Sequence, residues 1–320
     1  MSNDTHPMPP ASSLNRTYDA HFATDDAYRD ALPDPQNNGR PAVVKADAPI
    51  AHVGVSNFRL PLRFARHGGS EITLEASILG SVPCPGGRKG INMSRIVRSF
   101  YDHKDQLFSL DSLEPILRDY CAELDAEQAR LKLSFNYPIE QHSLRSGMTG
   151  TQFYQSAFEG LIEADSRFRR RIEFDFVYSS ACPCSADLAE HAELTRSAYS
   201  VPHSQRSKAR VWIELAPGEN LSLESIQRLC LSALKTETQV LVRREDEQAF
   251  AELNGAHLKF VEDAARQLSE KLESRDEILD YRIACSHLES LHSHDAIAVM
   301  VKGIEGGYTG DFDAFATLVV

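Results

Sequence analysis

Residues 168–180 read FRRRIEFDFVYSS, and this stretch decides the fold class of the chain. Large apolar side chains occupy every second position from its middle to its end: Ile172, Phe174, Phe176 and Tyr178. That period of two is typical of a β-strand with one buried face. Residues 52–64, HVGVSNFRLPLRF, alternate in the same way. One such strand in each half of the chain predicts a sheet built twice.

The patterns on either side of these two strands repeat in the same order. In the first half, alternation predicts strands at 52–64, 71–82, 130–138 and 151–162, and helical spacing predicts helices at 93–103 and 112–128. In the second half, the strands are 168–180, 208–215, 277–285 and 295–302, with helices at 222–235 and about 256–273. The chain is therefore predicted to be α+β, with two strand-strand-helix-helix-strand-strand units. Each unit has an antiparallel sheet with helices on one face, and closing a barrel would remove the open edges.

The same patterns predict the domain boundaries. Residues 1–48 lack a sustained period and are rich in Pro, Asn, Asp, Ala and Ser, which predicts a flexible N-terminal tail. The first unit covers 49–164 and the second 165–305, and 306–320 form a C-terminal extension. The second unit contains an insertion, 181–207, between its first two strands, and long loops inside compact domains are usually functional.

Composition limits the function. The 320 residues carry a net charge of −12, which argues against a broad nucleic-acid surface, so an anionic substrate would need a local basic pocket. The N-terminal sequence does not resemble a secretory signal, and no apolar run approaches 18 residues, which predicts a cytoplasmic protein without a membrane span. The six cysteines are then expected to be reduced, so clustered thiols are better candidates for metal ligands or catalysts than for disulfides.

The insertion carries the most distinctive motif, Cys182-Pro183-Cys184, directly after a predicted strand. Thiolates bind zinc and act as nucleophiles, although two loop cysteines without chemistry would look the same. His203 ends the same insertion, where a solvated loop histidine is the ordinary alternative. A closed four-cysteine site is not expected, because no second pair with suitable spacing exists.

Two further segments add titratable groups. The run VRREDE at 242–247 is either a solvated charge run or the source of a carboxylate, Glu245, for the cysteine loop. The run ESLHSHD at 289–295 leads into the last strand. Side chains at i and i+2 on a strand share a face, so His292 and His294 are predicted to point the same way as metal ligands or a proton-transfer pair. One cysteine, one histidine and one glutamate would leave a metal position open, as in catalytic sites.

Five segments taken together, CPCS, HSQRS, VRREDE, FVEDAAR and LESLHSHDA, resemble GTP cyclohydrolase type IB across about residues 52–303. The resemblance implies a tandem tunnelling fold that assembles into homotetramers with interfacial active sites. It also implies a divalent metal held by Cys182, His203 and Glu245. Thiolate and imidazole favour Zn²⁺, and the carboxylate also suits Mn²⁺ or Fe²⁺.

The resemblance implies a role for each remaining site residue. Cys184 lies beside the metal, Glu262 anchors the guanine ring, and Glu289, His292 and His294 form an acid–base cluster. The implied reaction converts GTP to 7,8-dihydroneopterin triphosphate and formate, the first step of tetrahydrofolate biosynthesis. Metal-bound water adds to purine C8, and histidines move the protons.

The triphosphate requires cations, and the turn Gly86-Gly87-Arg88-Lys89-Gly90 before a helix start suits a phosphate. Arg88, Lys89 and Arg95 are the predicted substrate-binding cations, unless this is only a basic surface turn. Arg169–Arg171 and the pair Arg243 and Arg244 are further candidates.

Two other functions fit parts of the sequence. A deazaguanine nitrile reductase would share the fold and the purine-anchoring glutamate, but the nicotinamide-binding lysine-rich motif is not found. A non-catalytic zinc-binding or redox-sensing module would use Cys182 and Cys184, but it would leave Glu262, His292 and His294 unexplained.

Overall fold

The computed structural model describes residues 16–33 and 48–319. The strands are β1 (Ile50–Ala65), β2 (Glu71–Cys84), β3 (Leu107–Phe108), β4 (Ala129–His142), β5 (Thr149–Ile162), β6 (Phe168–Ala181), β7 (Ser204–Leu215), β8 (Ile278–His287) and β9 (Ala296–Val301). The helices are α1 (Asp26–Asp30), α2 (Met93–His103), α3 (Leu113–Leu124), α4 (Pro183–Arg196), α5 (Leu223–Leu234), α6 (Arg244–Ala256) and α7 (Val261–Glu273). A short 3-10 helix follows at Phe315–Leu318.

The strands form one nine-stranded sheet in the order β3-β1-β2-β4-β5-β6-β7-β8-β9. All neighbours are antiparallel except the two-residue β3, which runs parallel to β1. The order of elements confirms the predicted α+β class with two strand-strand-helix-helix-strand-strand units. The two units join edge to edge through β5 and β6, where Ser156 pairs with Phe174 and Ile162 with Phe168.

One face of the sheet is covered by helices and holds the core. Helices α2 and α3 pack on the first unit, and α5 and α7 pack on the second. Gly80 on β2 and Gly160 on β5 permit close approach of α2 and α3. A Cβ on Gly80 would lie 2.8 Å from Ile96 Cγ2, and one on Gly160 would lie 2.8 Å from Leu117 Cδ1. These two glycines therefore set the spacing between the sheet and the helices.

Besides the short α1 in the predicted tail, the second unit contains two helices where the sequence patterns predicted none. The insertion, predicted as a long loop, contains α4, whose apolar residues do not form a stripe and which buries only Ala192. The run VRREDE, predicted as a connection, begins α6 at Arg244. Helix α7 begins at Val261, five residues later than predicted, because residues up to Ala256 belong to α6.

The opposite face of the sheet is polar, and the C-terminal segment, residues 303–319, covers it over β7 and β8. Leu318 and Trp212 are buried in one hydrophobic cluster, and Phe312 and Phe315 pack against it. The guanidinium of Arg282 lies 4.1 Å from the Trp212 ring centroid. The predicted C-terminal extension is therefore an ordered part of the fold.

Both edges of the sheet lack a full partner strand within the described residues. On β1, only Arg63 and Phe64 pair outward, with β3, and β9 has no outer neighbour. No described helix is long and apolar enough to cross a membrane. The predicted tail lies partly outside the described residues, and its described part, 16–33, is exposed and contains only the short helix α1.

Candidate active site

Four strand ends of the second unit lie side by side in one row. We call this row of strand ends the site edge; it is not one of the outer strands. Ala181 at the end of β6 pairs with Ser204 at the start of β7, and His287 at the end of β8 pairs with both Ser207 and Ala296. The predicted residues Cys182, His203, Glu289, His292 and His294 all follow or precede these strand ends. The antiparallel register therefore gathers segments that are distant in sequence.

Cys182 is the N-cap residue of α4, between β6 and the helix. Its backbone N–H donates to His203 O at 3.2 Å, so the two predicted metal ligands are neighbours across the β6–β7 pair. Its thiol makes no capping bond to the helix and is partly exposed. Pro183 fits the first helical position, where no backbone N–H is needed. Cys184 lies in the first turn of α4 and is exposed.

The ring of His203 has a defined hydrogen-bonding side. Its Nδ1 faces Gln205 Oε1 at 3.0 Å and Glu289 Oε2 at 3.3 Å. The amide of Gln205 is oriented by its own donation to Ser180 Oγ at 2.7 Å. Because both neighbours of Nδ1 are oxygen acceptors, Nδ1 carries the proton and the neutral ring keeps its lone pair on Nε2. A carboxylate or amide oxygen behind a histidine in this way is typical of metal-binding imidazoles.

His292 and His294 lie in the loop between β8 and β9, and both are exposed. Their rings stack with centroids 4.7 Å apart and an interplanar angle of 13°. Because both residues lie in a loop and not on a strand, the alternation from which their common orientation was predicted does not apply, and their roles stay predictions.

Glu245 is exposed in the first turn of α6. The neighbouring Asp246 is buried and accepts from the backbone N–H groups of Arg145, Ser146 and Arg243 at 2.7, 2.9 and 2.8 Å. Burial opposes ionisation of Asp246, but hydrogen bonds from the Ser146 hydroxyl and these N–H groups outweigh it and lower the pKa. Asp246 thus fixes the start of α6 to the β4–β5 turn of the first unit.

Glu262 is exposed in the first turn of α7. The preceding connection is held to the site edge by Lys259, whose backbone N–H donates to Ala181 O at 3.2 Å. The Lys259 side chain is buried, and burial lowers its pKa to about 8. The guanine-anchoring candidate and Cys182 are therefore linked through one short connection.

The predicted triphosphate cations lie at the opposite ends of the strands from the site edge. Arg88 and Lys89 follow the end of β2, where Cys84 pairs with Ile50. The 14 residues of β4 separate those ends from the site edge by roughly 40 Å. Arg88 donates to Leu124 O and Asp125 O at 3.0 and 3.2 Å, and Arg95 donates to Glu123 O at 2.5 Å. Both arginines thus bind the C-terminal end of α3, and within one chain they do not meet Cys182.

The other cationic candidates are divided between the far ends of the strands and the start of α6. Arg169, Arg170 and Arg171 are engaged with acidic partners, Glu163, Glu214 and Asp111, at the far ends. Arg243 and Arg244 lie at the start of α6, beside Glu245. The described ranges of a single chain contain no group of three or more His, Cys, Asp or Glu side chains arranged to hold a metal ion. Glu245 as the third ligand therefore stays a prediction.

A buried polar layer that the sequence patterns did not predict lies below the site edge. Tyr178 hydroxyl bonds to His287 Nε2 at 2.9 Å, and both side chains are buried. Burial, assisted by the charge of Lys259 and opposed by Asp263, lowers the pKa of His287 to about 4. His287 is therefore neutral at pH 7. No sequence signal separates His287 from the exposed histidines, although strand alternation places it on the same face as Tyr281, Ile283 and Cys285.

Most of the chain is similar in sequence to known proteins. The family described as "Type I GTP cyclohydrolase folE2" matches residues 32–298. The chain is 50% identical over 291 residues to "GTP cyclohydrolase FolE2" from Paracoccus denitrificans, with 91% of this chain and 90% of that protein covered. It is 48% identical to the protein of the same name from Dinoroseobacter shibae, with 91% and 80% covered.

Solved structures give a weaker likeness. Uricase from Arthrobacter globiformis matches with a TM-score of 0.48 and 10% identity, covering 83% of this chain and 97% of that one. That likeness is too low to support a conclusion about this chain. The family match spans most of the chain, and the relatives at about half identity are covered almost throughout, so the chain belongs to the type I GTP cyclohydrolase family of FolE2.

Proposed function

We propose that this protein is a GTP cyclohydrolase I that hydrolyses GTP to 7,8-dihydroneopterin triphosphate and formate, the first step of tetrahydrofolate biosynthesis. Membership of the FolE2 family carries the proposal, because the relatives at 48–50% identity bear that name. The chemistry is supported independently by the meeting of Cys182, His203 and Glu289 at the site edge.

A single divalent metal, Zn²⁺ or Mn²⁺ with Fe²⁺ as a further choice, fits the side chains present. Cys182 and His203 supply a soft thiolate and an imidazole from adjoining strand ends, and the acceptors behind His203 Nδ1 leave Nε2 available as a ligand. Glu245 is proposed as the third ligand. When bound, the metal supplies a water of lowered pKa as the nucleophile for purine C8.

The protein's own side chains hold the substrate and move protons. The exposed carboxylate of Glu262 suits guanine, because it can accept hydrogen bonds from N1–H and the exocyclic amine together. The adjacent rings of His292 and His294 suit proton transfer, with one ring donating a proton to the opening imidazole and the other accepting one. Glu289 holds His203 in its ligand tautomer. We leave Cys184 as a group beside the metal without an assigned step.

The triphosphate sites and the assembly are proposed together. Arg88, Lys89 and Arg95 lie too far from Cys182 to act in the same chain, so they would serve the site of a neighbouring subunit. Among the described residues, β1 is paired outward only by the two-residue β3 and β9 has no outer neighbour, which favours such an assembly because open strand edges pair readily with other chains. A homotetramer with interfacial active sites and a barrel closed between subunits satisfies both requirements. We keep the cytoplasmic location and the unit boundaries 49–164 and 165–305 as proposals.

The deciding experiment incubates the purified protein with GTP and Zn²⁺, Mn²⁺ or Fe²⁺. We expect release of formate and, after oxidation, pterin fluorescence. NADPH oxidation with a nitrile substrate and no pterin would instead indicate the nitrile reductase, and metal binding without any turnover of GTP would indicate a zinc-binding module. Size-exclusion chromatography with light scattering measures the oligomer, and a monomer that is fully active would exclude the interfacial site.

A further inference from the structure

Lys259 is a buried lysine without an acidic partner among the described residues. Its side chain lies in the connection between α6 and α7, and the residue is only 2% exposed. Its Nζ donates to two neutral oxygens, Thr236 Oγ1 at 3.1 Å and His257 O at 2.6 Å. Within residues 16–33 and 48–319, no carboxylate comes within ion-pair distance of it. Burying an ammonium group without a counter-charge is costly, so its retention calls for a specific role.

Lys259 fastens its connection to the end of β6. Its backbone N–H donates to Ala181 O at 3.2 Å, and Ala181 immediately precedes Cys182. The Thr236 hydroxyl that accepts from Nζ donates in turn to Ser179 O at 2.5 Å, and Ser179 N–H donates to Thr236 O at 2.8 Å. The backbone and side chain of Lys259 therefore hold two points of the strand that leads to Cys182.

The other end of this connection is equally fixed. Phe260 N–H donates to Asp263 Oδ2 at 3.0 Å, which closes the first turn of α7 around Glu262. Val261, Ala264 and Ala265 on the inner side of that turn are buried in the core. Glu262 thus extends from a rigid element only three residues after Lys259.

We infer that Lys259 is a positioning residue, which sets the distance between Cys182 and Glu262. This inference rests on the proposed function, in which Glu262 holds the guanine ring and Cys182 holds the metal. Attack at C8 requires the purine and the nucleophile to be held at the correct distance and orientation. Small displacements of a bound reactant reduce the rate by large factors. Lys259 touches neither substrate nor metal in this role, so it acts through the two segments that it joins.

The test compares Lys259→Met and Thr236→Val with the wild-type holoenzyme. Lys259→Met keeps the backbone bond to Ala181 and most of the side-chain volume but removes both Nζ bonds, and Thr236→Val removes the same link from its other side. For Lys259→Met we expect kcat to fall roughly 10- to 100-fold, while KM for GTP and the metal content per subunit stay within about twofold. Because both substitutions interrupt the same chain of bonds from Nζ to Ser179 O, the double variant should be no slower than the slower of the two single variants.

The matched control is Lys208→Met on β7. Lys208 is also buried, but its Nζ pairs with Asp175 at 2.7 Å on the opposite face of the sheet. This control should lose stability and keep its kcat, whereas a purely structural Lys259 would give the same result as the control. Melting temperatures and circular dichroism show which variants are folded, and Thr236→Val decides the matter if Lys259→Met does not fold.

The two levels of the proposal fail differently. A wild-type kcat in folded Lys259→Met would overturn the positioning role alone. If Lys259→Met does not fold, a wild-type kcat in Thr236→Val would do the same. Losses that multiply in the double variant would also overturn it. Loss of metal together with activity would also overturn it, because Lys259 would then support the metal site rather than its distance from the guanine ring. Absence of GTP turnover in the wild-type protein would remove the proposed function and this inference with it.

Discussion

Cys182 combines exposure with a fixed backbone. Its N–H is bonded to His203 O, and the thiol neither caps α4 nor fills the core. A side chain held in this way contributes little to folding, but it is available to a ligand. Its neighbour Cys184 is exposed one helical position after Pro183 and has no comparable link to His203.

Replacing Cys182 with alanine is expected to reduce turnover of GTP by at least ~100-fold, because the proposed metal ligand is lost. The free energy of unfolding should change by about 0.5 kcal/mol or less, since the thiol is not part of the core. Metal analysis, formate release and urea unfolding check the three quantities. Cys184→Ala is the companion variant, and a Cys182→Ala protein that retains both metal and turnover would exclude the ligand role.

The sequence could predict Cys182, His203, His292 and His294 because short motifs at strand ends carry them. It could not predict Lys259 or His287, because burial of these polar side chains depends on packing of α7 and the α6–α7 connection against β6 and β8. The placement of Arg88 and Lys89 also escaped prediction. A glycine-rich basic turn has the same appearance at either end of the strands, and only the strand pairing shows which end it occupies.

At the level of elements, the strands were predictable because their alternation is strong, and α4 and α6 were not. Helix α4 is exposed nearly all round and so lacks a periodic apolar stripe. Helix α6 begins inside a run of charged residues, and its start is set by Asp246 through contacts with residues about 100 positions earlier. Long-range contacts of that kind leave no local pattern.

Asp246→Asn is expected to loosen the start of α6, because an amide cannot accept from all the donors that converge on this carboxylate. Asp263→Asn is the matched control, since Asp263 holds the corresponding position of α7 with one backbone bond, to Phe260. We expect the drop in the urea midpoint for Asp246→Asn to be roughly twice that of the control. Equal drops for the two variants would mean that the link to the β4–β5 turn adds nothing.

For the whole molecule, two features favour the proposed association of subunits: the open outer strands and the separation of the site residues. The described residues form a continuous sheet with a helix-covered core, and among them β1 has only a two-residue outer partner and β9 has none. The cations predicted to bind triphosphate lie at one end of the strands, and the candidate metal ligands lie at the opposite end. In the proposed assembly, one event, the association of subunits, would complete both the sheet and the site.

The stability of the whole molecule is expected to fall on acidification from pH 6.5 to pH 4. The folded state holds His287 neutral with a pKa of about 4, whereas the unfolded chain protonates it near its ordinary value of 6.5. The unfolded state therefore binds more protons in this window, which costs the folded state about 3 kcal/mol by pH 4. Urea unfolding at several pH values measures the slope, and His287→Gln should flatten it.

A comparison with His142→Gln controls for the loss of a histidine as such, because His142 is exposed. That variant should keep the wild-type slope. If His287→Gln and wild type lose stability in parallel across the window, the buried imidazole is not the group responsible.

The C-terminal segment has a practical consequence for anyone handling the protein. Leu318 is fully buried against β7 and β8, and Thr317 bonds to Arg210, so the chain is anchored almost to its last residue. A purification tag fused at the C-terminus would start close to this anchor, so we expect it to disturb the packing of Phe312, Phe315 and Leu318 against the sheet. Handles for immobilisation or labelling belong at the opposite terminus, where residues 16–33 are exposed.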